Sequence, residues 1–212
     1  MIYGRRHSPA GTIHLSGRDY GDVSTCNLSD AMDRGGSLGE FRLIGNAPGL
    51  ITGGAVTCRT QDGDWRAVVR AIEAAGEGDV LVAQSFPVKR RAILGELLGN
   101  AARKRGLAAI VVDGMVRDAG GLGRLGIPVY ARGVVANAGN PDGRGKISVT
   151  LTVNGVRIRP GDMIACDLEG VVSMPKAKYY DILAKAHEIV RKENAIRKSI
   201  GEGKSISEIL GF

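Results

Sequence analysis

The run LAAIVV at residues 107–112 restricts the fold more than any other stretch. Six consecutive apolar, β-favouring residues read as a short strand that needs cover on both faces. It follows GELLGNAARKRG (95–106), where strong helix formers fill about three turns and Gly106 supplies the stop. A helix that packs back onto the strand after it returns its own start to that strand's far end. The pattern therefore predicts an α/β unit in which Glu96 meets Arg117 and Asp118, placed just beyond an Asp113-Gly114 turn.

The chemistry of that meeting follows from the residue types. An acid at a helix start, free N–H groups at Leu97 and Leu98, a guanidinium at Arg117 and a second carboxylate at Asp118 suit a divalent cation and a small anion. A plainer arrangement uses the same groups: Glu96 favours the helix dipole, and Arg117-Asp118 is a surface ion pair. Spacing alone leaves both open.

With 212 residues and 43% hydrophobic content, the chain supports one sizeable core and an appendage. The expected organisation is an N-terminal arm (1–22), a body (23–175) and a C-terminal helical arm (176–212). No apolar run is long enough to span a bilayer, and MIYGRRHSPAG lacks the apolar centre of a secretory signal, so a cytoplasmic protein without membrane contact is expected. Cys26, Cys58 and Cys166 are odd in number and far apart, which argues against a disulfide framework or a metal knuckle and for buried small side chains. The net charge of +7 invites nucleic acid. However, the basic residues are dispersed apart from Lys89-Arg90-Arg91 and Arg103-Lys104-Arg105, and at 4% aromatics there is little to stack on bases. No nucleic-acid partner is expected.

Local signals mark the remaining elements. Ser24 or Thr25 caps a helix through Met32, and Asp30 on it reads as a solvated carboxylate. ITGGAVTCRT is a strand whose paired glycines permit close backbone approach. After the turn at Gln61-Asp62-Gly63-Asp64, WRAVVRAIEAA has helical period, and VLVAQ is a second apolar strand. Beyond residue 126 the pattern is β-rich, with Asn154-Gly155 a strong hairpin signal. These strands argue for layered sheets with helices on one side, not a doubly wound parallel sheet. The string Gly121-Leu122-Gly123-Arg124-Leu125-Gly126 fits G-x-G-x-x-G but leads into IPVYARG instead of opening a helix. It therefore does not predict a dinucleotide site or a nucleotide-cofactor methyltransferase.

In the tail, Ile182, Ala186, Ile189, Glu193, Ile196 and Ile200 share one helical face, so Glu193 interrupts an apolar seam. Burying it requires a cation, a donor or water beside it. The alternative is an exposed end with a Glu193–Arg197 pair. His187 lies beside the stripe and reads as structural.

Several stretches resemble the RraA-like family: STCNLSDAM, ITGGAVT, GEGDVLV, GELLGNAARKRG, VVDGMVRDAGGL, IPVYARG, VNGVRIRPGDMIACDLEGVVSMP and the tail through GEGKSISEIL. The family includes 4-hydroxy-4-methyl-2-oxoglutarate/4-carboxy-4-hydroxy-2-oxoadipate aldolases, oxaloacetate decarboxylases and the regulator of ribonuclease activity A. The resemblance implies a β/β/α swivelling-type layered domain with a C-terminal helical arm, assembled as a homotrimer or hexamer. It implies Mg²⁺ or Mn²⁺ on Asp118, with Glu96 and Glu193 reaching the metal through water. Arg117 holds the pyruvoyl part of the substrate, and Leu97 and Leu98 bind its carboxylate through their N–H groups. The C-terminal helical arm (176–212) packs on a neighbouring subunit and lends Glu193 to it. The implied activity is a lyase acting on a small 2-oxo acid through a pyruvate enolate, as aldolase, decarboxylase or both. The alternatives are a non-catalytic regulator of an RNA-degrading enzyme and a sugar-acid lyase of the same metal–enolate type. The sequence departs from the family at CDLE (166–169), where a more uniformly Asp-rich turn is the pattern, so no contact is carried over from there.

Overall fold

The computed structural model describes residues 20–61, 63–86 and 91–212. The expected arm at 1–22 lies almost wholly outside these, as do Asp62, Lys89 and Arg90. Tyr20, in the last residues of that stretch, is buried, and its hydroxyl bonds Thr52 and, at 2.7 Å, the Tyr179 hydroxyl. Tyr20 thus packs with Val23, Leu28 and Tyr179.

Helix α1 (Thr25–Asp30) is capped by Ser24 in a reciprocal box with Asn27. Strand β1 (Arg42–Ile44) is followed by the long β2 (Ile51–Gln61), α2 (Arg66–Ala74) and β3 (Val80–Phe86). Gly53 in β2 is needed for close approach, since a Cβ there would collide with the Gly78 carbonyl. Next come β4 (Ala92–Leu94), α3 (Glu96–Lys104), β5 (Ala109–Val116), the single turn α4 (Ala119–Leu122) and β6 (Val129–Val134). The second half supplies β7 (Lys146–Ile147), the β8 (Leu151–Val153) and β9 (Val156–Ile158) hairpin, β10 (Met163–Asp167) and β11 (Gly170–Met174). Helices α5 (Tyr179–Gly201) and α6 (Ile206–Leu210) close the chain.

Among the described residues, one nine-stranded sheet runs β1-β6-β5-β3-β2-β10-β11, with β4 beside β5 and β7 beside β2. Its centre is parallel, because β2 to β3 and β4 to β5 are joined through helices, while β1, β10 and β11 add antiparallel edges. The period of two along β3 and β5 separates the two faces. Leu81, Ala83, Ile110 and Val112 pack under α2 and α3, whereas Val80, Val82, Ala109 and Val111 pack under the β8–β9 hairpin. Helices therefore cover one face and strands the other, giving the β/β/α layering expected. The hairpin turns at Asn154-Gly155, both with positive φ, as a two-residue loop requires.

The Asp113-Gly114 turn is not formed. Strand β5 continues through both residues, with an irregularity against β6 between Val112 and Met115. Asp113 stays in the sheet because Arg132 Nε donates to it at 2.8 Å and Gln84 Nε2 at 2.9 Å. Gly114 admits Ser85 against its bare Cα. The cysteine expectation also needs correcting: Cys58 and Cys166 are buried, but Cys26 is exposed on α1.

The start of α5 packs on its own chain. Tyr179, Ile182, Leu183, Ala186 and Val190 join Leu28, Met163 and Val172 in a third apolar cluster. Past Val190 the seam leaves the body, and Ile200, Ile206, Leu210 and Phe212 are exposed. Among the described residues no helix is long and apolar enough to cross a membrane.

Candidate active site

Strands β4 and β5 run parallel and end together, and each then starts a helix. The Arg117 N–H donates to the Leu94 carbonyl at 3.0 Å, so the junctions β4–α3 and β5–α4 are pinned side by side. Gly95 caps α3 in an extended conformation, and Asp118 caps α4 in the left-handed region at φ 56, ψ 43. That conformation costs a residue with a Cβ about 1 kcal/mol, and Asp bears it better than most. In return the carboxylate turns back toward α3. Asp118 Oδ2 accepts the Glu96 N–H at 3.3 Å and faces Arg117 Nε at 3.4 Å. Glu96 and the Arg117-Asp118 pair therefore do meet, as the helix-return argument predicts.

Two glycines make the meeting sterically possible. A Cβ on Gly95 would stand 2.6 Å from Asp118 Oδ2 and 3.0 Å from Arg117 Cγ. A Cβ on Gly121 would collide with the Glu96 carboxylate, which rests over α4 three residues beyond Asp118. Neither glycine stands out from the sequence as a site residue, because the close approach is between elements. The N–H groups of Leu97 and Leu98 lie in the first turn of α3, with no partner among the described residues. The Leu97 side chain is 80% exposed.

These groups line a small pocket of about 70 Å³, whose walls include Gly95, Leu98, Arg117 and Asp118 together with Trp65, Ala92 and Ala138. Arg117 and Asp118 are each about two-fifths exposed, so their pairing adds little stability and both remain available. Asp118 Oδ1 has no partner among the described residues. One free carboxylate oxygen beside a second acid fits a hard divalent cation that takes one or two protein carboxylates and keeps its remaining positions for other oxygens. Trp65 and Ala138 escaped the sequence reading. The one cue in the sequence is a tryptophan just ahead of the helical period of α2, where a capping residue is usual.

Glu193 lies elsewhere within one chain. Its Oε1 accepts from Asn27 Nδ2 at 3.2 Å and its Oε2 from Arg197 at 3.0 Å, which places it at the α1–α5 contact. The Glu193–Arg197 pair of the exposed alternative is present, and Asn27 adds a donor from α1. The CDLE turn has a structural role here. Buried Asp167 accepts from the Thr25 N–H, the Thr25 hydroxyl and the Glu169 N–H, so it anchors the start of α1.

A family model described as RraA-like, Aldolase/RraA, matches residues 25–173. A protein of Halalkalibacterium halodurans named "Putative 4-hydroxy-4-methyl-2-oxoglutarate aldolase" is 34% identical over 180 residues, covering 85% of this chain and 86% of that protein. A Geobacillus kaustophilus structure described as S-adenosylmethionine: 2-dimethylmenaquinone methyltransferase superposes with a TM-score of 0.68 at 31% identity. The match covers 73% of this chain and 96% of that one. Streptomyces coelicolor RraAS2, described as an unusual member of the RNase ES inhibitor RraA protein family, gives a TM-score of 0.75 at 26% identity. It covers 87% of this chain and 98% of its own.

Proposed function

The chain belongs to the RraA-like family, and from that premise we propose that it is a divalent-metal-dependent lyase that breaks a carbon–carbon bond of a small 2-oxo acid. The observation that carries this reading is the convergence of Glu96, Arg117, Asp118 and the α3 N-terminus at one small pocket.

Asp118 is the residue to hold Mg²⁺ or Mn²⁺, with Glu96 beside it. When bound, the cation supplies Lewis-acid charge against the enolate that develops. The N–H groups of Leu97 and Leu98 take the substrate carboxylate, helped by the positive end of α3. Arg117 donates to the 2-oxo oxygen and gains strength as that oxygen becomes anionic. In aldol cleavage the C3–C4 bond breaks, its electron pair passes into the C2–C3 enolate, and Glu96 takes the proton of the 4-hydroxyl. Returning that proton to C3 yields pyruvate. In decarboxylation of oxaloacetate the bond to the leaving carboxylate breaks instead, CO₂ departs, and the same enolate is protonated. Glu193 of a neighbouring subunit completes the acid set in a trimer or hexamer, and the cytoplasm is the setting.

A second reading has the Streptomyces relative behind it: a regulator that binds an RNA-degrading enzyme. That role calls for a surface and leaves the pocket groups without a task. The Geobacillus description does not transfer on the sequence string available, because Gly121-Leu122 belong to α4 and the remaining residues lead into β6, with no helix opened by the glycines. A sugar-acid lyase remains within the same chemistry and differs only in the tail group.

The deciding experiment measures pyruvate released from oxaloacetate and from 4-hydroxy-4-methyl-2-oxoglutarate with Mg²⁺, with Mn²⁺ and after chelation, corrected for metal alone. Enzyme-dependent pyruvate that chelation abolishes is expected. Its absence with both substrates would overturn the proposal and leave the regulator or the sugar-acid lyase.

A further inference from the structure

We propose that Trp65 is a specificity-determining residue: it lines the Arg117–Asp118 pocket and restricts the substrate to 2-oxo acids with a small tail. This rests on the 2-oxo-acid reading above and narrows it toward oxaloacetate, because 4-hydroxy-4-methyl-2-oxoglutarate is branched at C4 just as a branched 2-oxo acid such as 4-methyl-2-oxopentanoate is.

The pocket's volume of about 70 Å³ is well below the roughly 300–1,000 Å³ of sites that take drug-sized ligands. Its polar groups lie together at the α3 start, so the anionic end of a substrate occupies that side. The remainder of the substrate is left the rest of the lining, which includes Trp65, Ala92 and Ala138. Apolar walls of this kind discriminate by size.

The wall is held from several directions. Trp65 Nε1 donates to the Gly139 carbonyl at 3.1 Å. Gly139 in turn donates to Ala92 at 3.1 Å, while Ala92 donates to Asn137 at 2.9 Å. Gly139 and Gly63 touch so closely that a Cβ on Gly139 would collide with the Gly63 carbonyl. Asp64, just before the indole, is buried and accepts the N–H groups of Arg66 at 2.9 Å and Arg144 at 2.7 Å. Moving the indole aside breaks its own hydrogen bond and loosens a loop fixed on both flanks. Leu97 at the mouth is free to yield. Capping does not account for a tryptophan here, since its side chain makes no cap bond to α2.

Trp65 is the sole tryptophan of the chain, so its fluorescence reports this pocket alone. The test titrates the full-length protein with pyruvate and with 4-methyl-2-oxopentanoate in the presence of Mg²⁺, by fluorescence and by calorimetry. Wild-type protein is expected to change its fluorescence with pyruvate and to bind the branched acid at least about tenfold more weakly. Trp65→Ala, followed by calorimetry, narrows that ratio to about threefold or less, and Trp65→Phe falls between. Ala138 is exposed, so Ala138→Leu tests the same wall without disturbing the core, and it widens the ratio. An unchanged ratio in both Trp65→Ala and Ala138→Leu overturns the proposal, as does pyruvate binding with no change in fluorescence. No pyruvate binding to the wild type by either method overturns the 2-oxo-acid reading itself.

Discussion

The Asp118 carboxylate accepts the backbone N–H of Glu96 at 3.3 Å across 22 positions of sequence, so the acid that starts α4 is tied by its side chain to the main chain of the acid that starts α3. The pairing fixes the two helix starts relative to each other before any ligand arrives. It also leaves Asp118 Oδ1 and the Glu96 carboxylate outside that bond.

Asp118→Asn separates charge from geometry. Asn occupies the left-handed region as readily as Asp and keeps an acceptor for the Glu96 N–H, but loses the negative charge. Metal-dependent pyruvate release should fall by about a hundredfold or more, with the melting temperature nearly unchanged. Asp118→Ala adds a backbone cost of about 1 kcal/mol. Wild-type turnover in the Asn variant would remove Asp118 from the site.

Gly95→Ala places a methyl group against Asp118 Oδ2 and Arg117 Cγ. The carboxylate must move, and turnover should drop about tenfold or more because misplacement is costly at a reacting centre. Gly49→Ala is the control, since a Cβ there meets nothing within 4 Å. Equal activity in the two variants would show that the close approach is unimportant.

Asp113→Ala strands the guanidinium of Arg132, which otherwise lies against Asp113, over the Phe41 ring and against the Leu38 and Glu40 carbonyls. A loss of about 2 kcal/mol is expected from leaving a largely buried charge without its partner. Urea denaturation reads it as a lower midpoint at constant slope. A midpoint matching the wild type would mean that the pair contributes nothing.

Subunit mixing tests whether Glu193 serves a neighbour's site. Glu193→Gln and Asp118→Asn are each expected to be nearly inactive alone. Random mixing by unfolding and refolding together leaves about one site in four with both acids intact, if the acids come from different subunits of a closed ring. No recovered activity would confine Glu193 to the bonds it makes with Asn27 and Arg197.

Burial pushes the thiols of Cys58 and Cys166 up to about 12. Such groups favour the folded state fully below the ordinary thiol range. That contribution is lost as pH rises from about 9 toward about 12. Stability to urea should therefore fall across this range, and fall less steeply in the Cys58→Ala/Cys166→Ala double variant. Cys26 is exposed and should be the one thiol that labels in the folded protein. Its pKa is raised by partial burial and then by Glu169, Asp167, Asp30 and Glu193, so labelling near pH 8 is slower than for free cysteine. Labelling of three thiols in the native state would contradict the burial of Cys58 and Cys166.

Local sequence was sufficient for the helix-then-strand unit at 95–112, the Ser24 cap and the Asn154-Gly155 hairpin, because capping, periodicity and turn chemistry act over a few residues. It also determined that Glu96 meets Asp118, since a helix returning onto its own strand has few places to put its start. Tertiary structure alone decided the rest. Asp113-Gly114 has the composition of a turn, yet Arg132 and Gln84, brought in from other strands, satisfy the carboxylate and keep the residues in the sheet. Cys26 and Cys58 are the same side chain, and only the packing of α1 and β2 exposes one and buries the other. Trp65 became a pocket wall because Gly139, 74 residues away, accepts its N–H. In each case a partner distant in sequence outweighs a local preference of about 1 kcal/mol or less, and no reading of neighbours along the chain contains that partner.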